Sequence, residues 1–75
     1  MAEFSYEILE HIAVLGEAGD LSTELNVIRY GGQEPKYDLR RWRNVRGEKR
    51  MQKGVTLSAD ELWLLRQILN ERDSF

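Results

Sequence analysis

Met51-Gln-Lys-Gly-Val-Thr-Leu-Ser-Ala-Asp-Glu-Leu-Trp-Leu-Leu-Arg-Gln-Ile-Leu69 changes period partway along. Met51 to Leu57 reads as a short strand, with Gly54 marking a bulge or a close backbone approach. Ser58-Ala-Asp-Glu61 is a capping box: the Ser58 hydroxyl accepts from the Glu61 amide while the Glu61 carboxylate accepts from the Ser58 amide. A helix therefore starts at residue 59 and is predicted to run to about residue 72. On it Leu62, Leu64, Leu65, Ile68 and Leu69 span an arc of roughly 160°, and Trp63 lies outside that arc. One sheet does not readily cover so wide a surface. Trp63, with Leu64 and Ile68, is a candidate contact with a second copy of the chain; the alternative is that Trp63 folds back over its own sheet.

Working toward the N-terminus, Pro35 opens a run predicted as a strand over 35–44, a position where its missing amide donor is tolerable. Tyr37 and Leu39 alternate there with Lys36, Asp38, Arg40 and Trp42, so the apolar pair is expected to enter a core while the second face presents two cations and an indole. Asn44 to Lys49 reads as a polar connection to a strand over 50–57. Thr23 to Tyr30 supplies a strand over 22–31, closed by Gly31-Gly32. Residues 4–15 are predicted as the first strand, broken by Gly16 and Gly19-Asp20, although Ile8, Leu9 and Ile12 also suit a helical period. Four strands and a helix give an α+β domain in which an antiparallel sheet carries one helix on one face.

At 75 residues the chain is one domain, spanning 1–75. A hydrophobic fraction of 41% with 32% charged residues is that of a folded soluble chain and excludes disorder. With no cysteine, a disulfide scaffold and a thiolate zinc site are both excluded. A core this small needs support, and oligomerisation is the route that remains. No apolar run approaches the ~18 residues of a membrane span, and Met1-Ala-Glu-Phe-Ser5 lacks the basic start and apolar core of a signal peptide. The expected location is the cytoplasm.

The net charge of −2 hides a segregation of sign. Between Lys36 and Lys53 stand eight basic residues (Lys36, Arg40, Arg41, Arg43, Arg46, Lys49, Arg50, Lys53) against Asp38 and Glu48. The remainder is strongly acidic, so one region attracts a polyanion while the rest resists indiscriminate binding. A solvated basic hairpin would look the same on charge alone. Catalytic readings fare poorly. His11 is the single histidine, Ser58 is explained by the cap, and Asp60 with Glu61 complements the helix dipole. No phosphate loop or metal-ligand spacing is present, so no cofactor is expected. Rings and cations together suit a single-stranded nucleic acid, where charge follows the backbone and aromatics stack on bases. Tyr30 and Trp42 would supply rings, and Lys36, Arg40, Arg43, Lys49, Arg50 and Lys53 the charge.

Pro35-Lys-Tyr-Asp-Leu-Arg40 with Trp42, followed by Met51-Gln-Lys-Gly-Val-Thr-Leu57 and a helix opened at Ser58, resembles the single-stranded DNA-binding family of the eukaryotic transcriptional positive cofactor four and its short bacterial relatives. Glu10-His-Ile-Ala-Val-Leu15 and Glu24-Leu-Asn-Val-Ile-Arg-Tyr30 are similar to the bacterial branch. The resemblance implies a curved four-stranded sheet with a C-terminal helix and a homodimer made through helix and strand contacts. It implies sequence-independent binding of single-stranded DNA on the concave sheet surface, with contacts at Tyr30, Arg40, Trp42 and Lys53. The connection over Asn44 to Lys49 is shorter than in eukaryotic members, and the family's aromatic there aligns with either Trp42 or Arg43. The eukaryotic Ser-rich regulatory tail has no counterpart here, so coactivation does not transfer.

The expected function is thus a non-enzymatic homodimer that binds single-stranded DNA, or RNA, in transcription, replication or repair, without a small-molecule substrate or a membrane. A protein-interaction module whose basic hairpin docks an acidic partner is the alternative.

Overall fold

The computed structural model describes residues 5–72. It contains β1 (Tyr6–Ala18), β2 (Leu21–Tyr30), β3 (Lys36–Val45), β4 (Glu48–Leu57) and α1 (Ala59–Asn70). The strands form one antiparallel meander in the order β1-β2-β3-β4. This is the α+β order read from the sequence; the expected start of the first strand at Phe4 lies outside the described residues.

Two connections are tighter than expected. β1 continues through Gly16, which pairs with Thr23 just past a bulge at Leu15. The chain turns only at Gly19-Asp20, with Gly19 at φ 62°. The polar connection over Asn44 to Lys49 is mostly strand, closed by Arg46 and Gly47 at φ 52° and 82°. Two consecutive positive φ angles twist the hairpin in the sense its strands prefer.

The register sorts side chains onto two faces. Ser22, Glu24 and Asn26 of β2 stand opposite Trp42, Arg40 and Asp38 of β3. Those β2 residues, Ile28, Asp38 and Trp42 are buried, so this is the inner face of a strongly curved sheet. Leu21, Thr23 and Leu25 face Arg43, Arg41 and Leu39 on the outer side and stay partly open, Arg41 fully so. The expectation that Tyr37 and Leu39 enter the core while Asp38 and Trp42 face outward is therefore reversed. The curvature has local causes: three register shifts between β1 and β2 and one between β3 and β4 each add twist. The curl brings the inner-face side chains over one another and buries polar groups that alternation alone would assign to solvent.

The capping box forms as read. The Ser58 hydroxyl accepts from the Glu61 amide at 3.1 Å, and the Glu61 carboxylate accepts from the Ser58 amide at 2.8 Å. Yet α1 touches only β3 and β4 and buries none of its residues, so it does not cover a sheet face as expected. Trp63 is 58% exposed, which rules out its folding back over its own sheet. Leu64, Ile68 and Leu69 are exposed with it, as are Ile8, Leu9, Ile12 and Leu15 on β1. A monomeric globule of 8.8 kDa exposes roughly 4,800 Å². This chain exposes 6073 Å², and its radius of gyration is 14.0 Å against about 11 Å for a compact chain of this length.

Candidate nucleic-acid interface

Inner face and outer face carry different chemistry. On the inner face the charges are paired internally. Arg40 donates to Asp38 through Nε at 2.6 Å and Nη2 at 2.7 Å, and from Nη2 to the Tyr30 hydroxyl at 3.0 Å. The Tyr30 hydroxyl donates to Asp38 at 3.0 Å. Hydrogen bonding to Asp38 strengthens the hold of Arg40 on its proton against the opposing effect of burial. Burial, and next the bond to Asp38, push the Tyr30 phenol above its ordinary pKa.

A second cluster lies on the same face, centred on Glu24. Ser22 donates to the Glu24 carboxylate at 2.7 Å, and Lys49 donates to both of its oxygens at 2.8 Å. His11 Nδ1 sits 2.7 Å from the side-chain oxygen of Asn26 and 3.7 Å from Glu24, tying β1 to the cluster. Burial raises the Glu24 pKa, but hydrogen bonds from Lys49 and Ser22 and the Lys49 charge outweigh it, so the carboxyl ends below its ordinary value. Trp42 lies among these groups with its ring centroid 5.7 Å from that of Tyr6 and 6.0 Å from the Lys49 ammonium. The indole is fully buried.

Four of the residues expected to contact nucleic acid are therefore committed elsewhere, Lys49 among them through its pairing with Glu24. Trp42, at 0% exposure, has no face open to a base. Arg40, whose side chain is 12% exposed, spends its guanidinium on Asp38 and Tyr30. Tyr30 is held on the inner face by Asp38. The physical reason is shared: a buried carboxylate must be paired, and the nearest cations and hydroxyls are those the sequence offered to a ligand.

The outer face is different. A groove of about 440 Å³ crosses β2, β3 and β4, floored by Leu21, Thr23 and Leu39 and flanked by Arg41, Arg43 and Lys53. Arg41 lies directly opposite Thr23, and the β3/β4 bulge turns Gln52 and Lys53 toward it. Gly54 permits this approach, because a Cβ there would overlap the Cβ of Arg40. Arg43 donates to both Asp20 oxygens at 2.8 and 3.0 Å, in an exposed pair. Arg41, Lys53, Lys36 and Arg46 have no acidic partner among the described residues. Arg50 approaches Glu48 only at 4.0 Å. The structure thus brings Arg43 and Lys53 together, sets Arg50 directly opposite Arg43 on the adjoining strand, leaves Lys36 at the far end of β3, and adds Arg41. Alternation along β3 was the signal for Arg41, since it shares parity with Arg43.

Fold and charge pattern define a one-domain β-meander with a C-terminal helix and a cationic outer sheet face. No helix among the described residues is long and apolar enough to cross a membrane, and no His, Cys, Asp and Glu side chains among them cluster as a metal site. An uncharacterized protein of Treponema pallidum (strain Nichols) is 38% identical over 69 residues, covering 91% of this chain and 79% of that protein. The chain belongs to the same family as this treponemal protein. No family model matches the sequence.

Proposed function

We propose that the protein binds single-stranded nucleic acid without sequence preference, as a homodimer, and performs no chemistry on it. The observation that carries this reading is the set of cations on the β3–β4 hairpin that find no acidic partner among the described residues, Arg41 and Lys53 foremost, beside an open groove on the sheet. Unpaired cations concentrated on one sheet face create the positive potential that attracts a polyanion, while the acidic remainder limits indiscriminate contact. The resemblance to the positive cofactor four family supports the same reading, since four antiparallel strands followed by a helix is the order it implies.

Surface area supports the homodimer. The chain exposes roughly 1,300 Å² more than a globule of its mass, and a standard interface buries about 800 Å² per partner. The apolar side of α1, with Trp63, Leu64 and Ile68, and the aliphatic row of β1 stand exposed on this surface. A 12-residue helix is marginal in water unless its apolar side is covered.

Fluorescence anisotropy with a labelled oligothymidine of roughly 20 nucleotides, against matched duplex at low and moderate salt, tests the reading. Salt-sensitive binding to the single strand with much weaker duplex binding is expected. Absence of binding to either at low salt would overturn it and leave the hairpin as a surface for an acidic protein.

A further inference from the structure

We infer that the strand is held in the outer groove through its sugar–phosphate backbone, by Arg41, Arg43 and Lys53, with no base stacked on an aromatic ring. The inference rests on the proposed nucleic-acid function and specifies how that function is carried out.

Two observations lead to it. The first concerns rings. Trp42 is fully buried and packed against Tyr6, and the Tyr30 hydroxyl is enclosed by Asp38 and Arg40 on the opposite face of the sheet. Among the described residues no aromatic side chain lines the outer groove; Tyr37, on the same side of β3, lies past Leu39 and outside the lining. Exposing the Trp42 indole would require breaking the Tyr6 contact and uncovering Asn26, Ile28 and Asp38, all of which are completely buried. A base stacked on one ring returns less than is lost when a buried aromatic leaves its packing. Stacking on Trp42 therefore loses to keeping it inside.

The second observation concerns the cations. Arg41 and Arg43 are two residues apart on one side of β3, hence about 6.6 Å apart, and Lys53 stands on the adjoining strand about 5 Å away laterally. Three cations at such spacing follow a chain of negative charges. Leu21, Leu39 and the methyl of Thr23 offer an apolar floor for sugar rings. Arg41 and Lys53 bind without breaking any ion pair. Arg43 needs only to exchange an exposed pair with Asp20, which costs little because both partners are solvated. The shared chemistry is a phosphodiester backbone, so DNA and RNA single strands are both ligands.

The test compares three labelled oligomers of equal length and charge with the intact protein: oligothymidine, oligouridine and an abasic deoxyribose-phosphate chain. The abasic chain is expected to bind within about twofold of oligothymidine, where even one stacked base would cost it fivefold or more. The slope of log affinity on log salt should be about −2 for three neutralised phosphates. Arg41→Ala and Lys53→Ala should each lower its magnitude by about 0.7, and Trp42→Phe should leave affinity and slope unchanged. Binding of oligothymidine with loss of the abasic chain overturns the backbone-only mode while the proposed function stands. Oligothymidine binding that ignores both Arg41→Ala and Lys53→Ala overturns the groove. Failure of the wild-type protein to bind any of the oligomers removes the function and the inference together.

Discussion

Tyr6 and Trp42 pack with ring centroids 5.7 Å apart, although their partners on the intervening strand, Tyr30 and Ser22, lie at its opposite ends. On a flat sheet those partners would stand about 26 Å apart. The contact therefore measures how far the sheet has coiled, and it roofs the inner face. Trp42→Ala should cost ~3 to 5 kcal/mol of folding stability, a large share of the total for a domain this small. Urea denaturation followed by circular dichroism checks it. In a Trp63→Phe background the remaining indole emission should resist iodide; quenching as ready as that of Trp63 would show the ring to be open.

Lys49 and Glu24 give a pH dependence. Because the folded Glu24 carboxyl sits below its ordinary value of 4.5, the unfolded chain takes up the proton first as pH falls. The stabilisation is complete above that value and is lost as pH drops through the lower, folded pKa. Glu24→Gln should thus lower stability near neutrality by about 1 to 2 kcal/mol, and the gap to wild type should close in acid. A gap in Tm that stays constant down to pH ~3, below the ordinary carboxylate range, would refute the assignment.

Gly54 faces the backbone and Cβ of Arg40 with no room for a methyl group. Gly54→Ala should destabilise by about 1 to 3 kcal/mol through overpacking and shift the β3/β4 bulge that presents Lys53. A stability unchanged in thermal melts would mean that the strands separate there without cost.

Leu64 and Ile68 lie exposed on α1. Replacing both by Glu should convert a dimer into a monomer in sedimentation velocity and reduce helical circular dichroism, because a helix this short depends on its covered side. Wild-type protein that sediments as a monomer would contradict the dimer directly.

Ser58 caps α1 whether or not the helix is covered. Ser58→Ala should cost about 1 kcal/mol, seen as a lower Tm with sedimentation unchanged.

Strand order, helix start and the special role of Gly54 were legible because each depends on neighbours in sequence. The capping box needs only Ser58 and Glu61, and the close approach at position 54 needs only an absent side chain in a β-branched run. Which way β3 faces was not legible. Its two sides carry Tyr37, Leu39 and Arg41 against Asp38, Arg40 and Trp42, so hydrophobicity scarcely distinguishes them. What decides is that Asp38 can be neutralised by Arg40 and Tyr30, and Glu24 by Lys49 and Ser22, across strands. Those pairings require the register, which alternation alone does not reveal. The true turn at Arg46-Gly47 was obscured because charged residues on an edge hairpin resemble a loop.

The meander order has a kinetic consequence. Every strand pairs only with its neighbour in the chain, so no pairing waits for a long loop to close. Contact order is low for an antiparallel sheet, and rates rise as contacts become local. The hairpin at Arg46-Gly47, closed by a two-residue turn, is a natural place for pairing to begin and zip outward to β1. The chain should therefore reach its sheet quickly and alone, and in the proposed dimer the helix packing would follow in a second step whose rate depends on protein concentration.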